Sequence, residues 1–141
     1  MEPVERAEVA DGSLLLVDTA PIVYLLEGHP RLAARFRPIF ERHARAELAL
    51  AVTTVTIAEV LAGPIAVADE ALVRRYRNTL ESWQVVDLSA DIAESAARLR
   101  IALRLKLPDA IQAASALAIG AEALVTHDRD FARLSGLRVL A

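Results

Sequence analysis

Short unbroken apolar runs alternate along this chain with longer stretches in which apolar residues recur every three or four positions. That is the pattern of buried strands interleaved with amphipathic helices. Ser13-Leu14-Leu15-Leu16-Val17 reads as the first strand and stops at Asp18. Asp18-Thr19-Ala20-Pro21 then supplies an N-cap and an early proline for a helix carrying Ile22, Leu25 and Leu26. His29-Pro30 breaks the chain before a second helix striped by Leu32, Phe36, Ile39 and Phe40, with a kink expected at Pro38. Residues 48–52 form the second expected strand. Thr56 to Glu59 opens the next helix as a capping box, and Gly63-Pro64 closes it.

The spacing of Leu72, Tyr76, Leu80 and Trp83 predicts one long amphipathic helix over 66–83, with Arg74, Arg75 and Arg77 toward solvent. A third strand is expected at 84–88, and Ser89 caps a helix bearing Ile92, Ala96, Leu99 and Leu103. Leu107-Pro108-Asp109 restarts the backbone into a small-residue helix that Gly120 ends. A fourth strand follows at 123–126, then a turn or short helix at 127–131, and a fifth strand at 137–140. Strands alternating with helices give an α/β fold: a mostly parallel central sheet of about five strands, flanked by helices on both faces. Residues 1–12 read as a polar leader and 13–141 as a single domain.

Composition narrows the chemistry. At 141 residues, 55% hydrophobic and 25% charged, with 5 Gly and 6 Pro, the chain has enough apolar surface for one core and no low-complexity linker. The absence of cysteine removes disulfides, thiolate zinc sites and cysteine nucleophiles, so any metal must sit on oxygen or imidazole. No apolar run approaches the roughly 18 to 20 residues that cross a bilayer, and the start lacks the order of a signal peptide; a cytoplasmic protein is expected. The formal net charge of −3 argues against holding nucleic acid by bulk electrostatics. Of the 16 cationic residues only Lys106 is a lysine, and the arginine clusters read as solvated helix faces.

The acids are more telling. Asp18 follows the first strand, Glu59 falls in the first turn of the helix after the second, Asp109 begins its own helix and Asp128 follows the fourth strand. In a parallel sheet these places converge on the carboxyl edge, where open α/β sheets bind ligands. Each acid has a plainer reading: an N-cap for Asp18, a capping-box partner for Glu59, a helix-end charge for Asp109 and a turn residue for Asp128. Together, however, they would repel unless a cation joined them, and an all-oxygen donor set favours Mg²⁺ or Mn²⁺. Such an ion suits phosphodiester hydrolysis.

The segments Leu16-Val17-Asp18-Thr19-Ala20, Thr56-Ile57-Ala58-Glu59-Val60-Leu61, Leu107-Pro108-Asp109-Ala110-Ile111-Gln112-Ala113-Ala114 and Val125-Thr126-His127-Asp128-Arg129-Asp130-Phe131 resemble the PIN-domain ribonucleases, above all the VapC-type toxins of toxin–antitoxin pairs. The resemblance runs from about Leu14 to the C-terminus. It implies catalytic and metal-site acids at Asp18, Glu59, Asp109 and Asp128, with Thr19, Thr126 and Asp130 beside substrate or behind the acids. It also implies an RNA substrate, a cognate antitoxin and a homodimer, with the antitoxin lying on an apolar groove for which Leu25, Phe36, Phe40 and Leu61 are candidates. Three features depart from the family pattern: a long leader, His127 where Asn or Arg is common, and Asp130 as a rival fourth acid. His127 itself reads as a surface residue of a turn. A non-catalytic PIN-fold interaction module is the alternative. An aspartate-nucleophile phosphatase fits poorly, because Ala20 stands where its second acid belongs, and a phosphoacceptor receiver lacks its strand-end lysine.

Overall fold

The computed structural model describes residues 9–128, 131 and 136–141. Among these residues five strands form one sheet: β1 (Leu14–Val17), β2 (Ala49–Thr53), β3 (Gln84–Val86), β4 (Ala123–Val125) and β5 (Arg138–Leu140). Their order is β3-β2-β1-β4-β5 and every pairing is parallel. Among the described residues six helices connect them: α1 (Thr19–Leu26), α2 (Leu32–Ala44), α3 (Thr54–Ala66), α4 (Glu70–Glu81), α5 (Ala90–Leu103) and α6 (Leu107–Ala118). The expected α/β class and five-stranded parallel sheet are therefore observed.

Alternation along β1 sorts the core into two layers. Leu15 and Val17 pack with Ile22, Phe36, Ile39, Val60 and Leu80 of the first four helices, while Leu16 faces Ala113 and Ala116 of α6. Both faces of the sheet are covered, which is why its strands are continuous apolar runs. The small residues of α6 from Ala110 to Ala116 are all buried, and they let this helix lie close against the sheet and α5.

Several boundaries differ from the sequence expectation. The α3 helix begins at Thr54, because Thr53 is its N-cap: Thr53 Oγ1 accepts the Thr56 N–H at 3.1 Å. Thr56 and Glu59 thus form no capping box, and Glu59 stands in the second turn rather than the first. Gly63-Pro64 does not close this helix; Pro64 is buried within its final turn, where the missing N–H costs one bond among carbonyls that soon lack helical partners anyway. The long helix expected over 66–83 is broken at Ala68, whose φ of 56° lies in the left-handed region that a non-glycine residue rarely adopts. Asp69 then caps α4 by accepting the Leu72 N–H at 3.1 Å. Arg74, Arg75 and Arg77 do face solvent.

The last residues of the leader are packed. Val9 is 3% exposed within the core. Arg42 of α2, itself buried, donates to the Val9 carbonyl at 2.8 Å and pairs with Asp11 and Glu47, so the segment before β1 is pinned across the end of α2. Phe36 and Phe40 are core residues, which removes them as groove-lining candidates; Leu25 and Leu61 are half-buried.

Candidate active site

The chain runs outward from β1 to β2 and β3, then returns to place β4 and β5 on the other side of β1. Between β1 and β4 the winding reverses, and such a switch point opens a crevice at the carboxyl ends of the strands. Register fixes what stands there. Val17 pairs with Val125, so Asp18 and Thr126 emerge side by side, and the Asp18 N–H donates to the Val125 carbonyl at 2.8 Å. On the other flank Leu16 pairs with Ala51, which carries Asp18 level with Thr53 two residues on.

A cavity of about 530 Å³ opens at this edge, lined by Asp18, Ala20, Tyr24, Asp109, Thr126, His127 and Asp128. Three of the four predicted acids therefore meet on one cavity. Asp109 reaches it from the first turn of α6, and Asp128 from the turn after β4. Glu59 does not line it. It is exposed on α3 and is tied to the same neighbourhood by Thr19, whose Oγ1 donates to Glu59 Oε1 at 3.1 Å. Asp130 lies outside the described residues.

Asp18 is held on both oxygens. Its Oδ1 accepts the Thr19 N–H at 2.8 Å, as an N-cap would, and also the Gln112 Nε2–H at 2.9 Å. Its Oδ2 accepts the Thr126 hydroxyl at 2.8 Å. Thr126, fully buried, accepts the Asp128 N–H at 3.0 Å in return, which links two acids through one hydroxyl. Thr19 and Thr126 are thus each hydrogen-bonded to a carboxylate of the predicted acids.

Behind the acids lies a polar cluster that sequence reasoning missed. Gln112, Thr53 and Thr56 are each at most 1% exposed. Thr53 Oγ1 donates to Gln112 Oε1 at 2.8 Å, Gln112 Nε2 reaches Thr56 Oγ1 at 2.6 Å, and Thr56 Oγ1 lies 2.9 Å from Thr19 Oγ1. The available signal was a long polar amide at the centre of the apolar, small-residue face of α6, three positions after Asp109 and hence on the same side of the helix.

His127 is not the surface residue its turn suggested. Its ring is half-buried, edge-on to Tyr24 at 5.6 Å and 6.3 Å from Phe36, and forms part of the cavity wall. Its Nδ1 is buried with no hydrogen-bond partner among the described residues.

The donor set is all carboxylate and hydroxyl oxygen, which fits a hard divalent cation in kind. Among the described residues, no three acid or imidazole side chains are gathered tightly enough to hold an ion as they stand. Gathering carboxylates into one donor set needs a cation to offset their mutual repulsion.

The family model described as PIN domain matches residues 15–137. The chain belongs to the PIN domain family. As a PIN domain it is also similar to solved structures of toxins. It is 29% identical to a chain of a toxin–antitoxin complex from Klebsiella pneumoniae, with a TM-score of 0.71, covering 90% of this chain and 96% of that one. The VapBC2 complex of Rickettsia felis bound to a promoter DNA fragment matches at 21% identity and TM-score 0.71, over 89% of this chain and 96% of that one. VapC20 of Mycobacterium tuberculosis, described as a toxin cleaving the sarcin-ricin loop, matches at 17% identity and TM-score 0.67, over 88% and 98%. The last two likenesses speak for the fold alone. No curated protein matches the chain by sequence. Among the described residues, no helix of this PIN domain is long and apolar enough to cross a membrane.

Proposed function

We propose that the chain is a Mg²⁺- or Mn²⁺-dependent endoribonuclease and the cytoplasmic toxin of a toxin–antitoxin pair, restrained by a cognate antitoxin and active as a homodimer. One observation carries this reading: Asp18, Asp109 and Asp128 line a single cavity at the switch point of a PIN-fold sheet. The likeness to a chain of a toxin–antitoxin complex supports the antitoxin partner.

In this reading Asp18, Asp109 and Asp128 hold the ion, and Glu59 joins them from α3. When bound, the ion supplies positive charge at the phosphodiester and activates water for hydrolysis. The chain's own contribution is placement. Thr126 and Gln112 fix the Asp18 carboxylate, Thr19 fixes Glu59, and the wall of Tyr24 and His127 bounds the space beside the acids. A net charge of −3 gives RNA no general attraction, so binding would rest on the ion and on local arginines.

The purified chain, freed of any antitoxin, is expected to cut a structured RNA with Mn²⁺ present and to stop on chelation. Sedimentation of the same preparation is expected to show a dimer. An intact RNA at every Mn²⁺ concentration, from a chain that still folds and still binds a partner protein, would replace this reading with that of a non-catalytic interaction module.

A further inference from the structure

The hydrogen bonds behind the acids have only one consistent direction. Each threonine hydroxyl has one proton to give, whereas a carboxamide gives two from nitrogen and none from oxygen. Thr53 Oγ1 already accepts the Thr56 N–H as the cap of α3, and its proton takes the shorter contact, to Gln112 Oε1 at 2.8 Å rather than to Thr56 Oγ1 at 3.4 Å. That bond sets the carboxamide so that nitrogen faces the acids. Nε2 then donates to Asp18 Oδ1 at 2.9 Å and to Thr56 Oγ1 at 2.6 Å. The proton of Thr19 goes to Glu59 at 3.1 Å, so the 2.9 Å contact between Thr19 and Thr56 must be donated by Thr56. The chain Thr53, Gln112, Thr56, Thr19, Glu59 therefore runs one way and ends on a carboxylate, with a branch at Gln112 that ends on Asp18.

We propose that Gln112 is a positioning residue of the acid site, holding Asp18 directly and Glu59 through Thr56 and Thr19, and so setting the site's affinity for a divalent cation. This rests on the metal-dependent reading above. A carboxylate has about four acceptor positions. Thr19 and Gln112 fill both on Asp18 Oδ1, and Thr126 fills one on Oδ2. Among the described residues these are its donors, which leaves one open position on Oδ2 where a cation could be met. Without the Gln112 donor, Oδ1 regains a position and the carboxylate is tethered by one bond fewer. Partners behind a metal ligand commonly contribute about 10- to 100-fold in metal affinity.

The experiment is calorimetric titration of Mn²⁺ into the purified full chain, for wild type, Gln112→Met, Thr56→Val, Thr56→Ser and the Gln112→Met/Thr56→Val double variant, with thermal melts alongside. Gln112→Met is expected to weaken Mn²⁺ binding about 10-fold or more. Thr56→Val keeps the volume and removes the hydroxyl, and is expected to weaken binding several-fold, whereas Thr56→Ser keeps the hydroxyl and should bind like wild type. Because both residues act through one chain, the double variant should bind Mn²⁺ more tightly than the product of the single effects would give. Wild-type affinity in Gln112→Met overturns the proposal, as does an affinity that follows side-chain volume at position 56 instead of the hydroxyl. If Gln112→Met does not fold, the Thr56 pair decides alone by that same criterion. A wild type that binds no Mn²⁺ overturns this proposal together with the reading beneath it; a wild type that binds while the variants match it overturns this proposal only.

Discussion

Replacing Asp18 with asparagine is nearly isosteric, yet the structure makes it far from silent. The carboxylate accepts from three donors: the Thr19 N–H, Gln112 Nε2 and the Thr126 hydroxyl. Asparagine presents one accepting oxygen and an NH₂ group. If its oxygen keeps Thr19 and Gln112, its nitrogen meets Thr126, whose proton then has no acceptor in a fully buried position. One charge-assisted bond is lost outright, and the other two become neutral-acceptor bonds roughly half as strong, a total of about 3 to 4 kcal/mol. Relief of repulsion from Asp109 and Asp128 across the cavity returns about 1 kcal/mol at high dielectric. The net loss of about 2 to 3 kcal/mol corresponds to a fall in melting midpoint of about 6 to 10 °C for a domain of this size. Thermal melts of the metal-free proteins measure it. A variant melting at or above wild type would show that charge repulsion outweighs the hydrogen-bond cage, and would refute the accounting. Loss of RNA cleavage is expected as well, but a destabilised variant loses activity for two reasons, so the Mn²⁺-induced shift of the midpoint must be read with it. Wild type should gain about 2.7 kcal/mol at a hundredfold excess over Kd, and Asp18→Asn much less.

Asp109→Asn and Asp128→Asn should each raise the Mn²⁺ concentration needed for half-maximal cleavage, since each removes a cavity-facing charge; an unchanged metal requirement in either would take that residue out of the site. Arg42→Met should lower the conformational stability of the chain by about 1 to 3 kcal/mol in denaturant titration, because the Val9 carbonyl loses its buried guanidinium donor while Glu47 keeps only Arg45; a loss below about 0.5 kcal/mol would mean that the leader segment contributes little to the fold. Ala68→Gly should raise stability by about 0.5 to 1 kcal/mol, as the residue between α3 and α4 has a φ of 56°, and a lower melting midpoint would contradict that.

How far the sequence could be read depended on the range of the interactions involved. The strands were legible because Leu14 to Val17 and Ala123 to Val125 are buried on both sides and so carry no polar residue at all. Asp18, Asp109 and Asp128 were legible because a helix start or strand end marks each one locally. The end of α3 was not. Pro64 is a helix breaker in most contexts, but here it stands one turn from the end and is buried, so packing outweighed propensity. Glu59 was placed near the site, but its supposed partner Thr56 turned out to face inward to Gln112, because Thr53 took the capping role. Gln112 was invisible for a different reason: its partners are 59, 56 and 94 residues away in sequence, and no local pattern reports contacts of that range. His127 failed likewise, since Tyr24 and Phe36 meet it only through the pairing of β1 with β4.

The identity of the groups around Asp18 bears on what the site can hold. Among the described residues its partners are a backbone N–H, a carboxamide and a hydroxyl, all neutral, and no Lys or Arg pairs with it. An arginine in the place of Gln112 would orient the carboxylate at least as firmly through a bidentate bond. It would also cancel the negative charge that attracts a cation, and would set a fixed positive group within a few ångström of the place the cation must occupy. Neutral donors separate the two tasks, fixing the direction of the carboxylate while leaving its charge uncompensated. The arginines of the chain that form ion pairs among the described residues, Arg42, Arg45, Arg77 and Arg98, pair instead with Asp11, Glu47, Glu81 and Glu94, on the far end of α2 and the outer faces of α4 and α5. In the empty protein the three donors outweigh the repulsion of that charge by Asp109 and Asp128, so the carboxylate stays in place and still offers its charge to a cation.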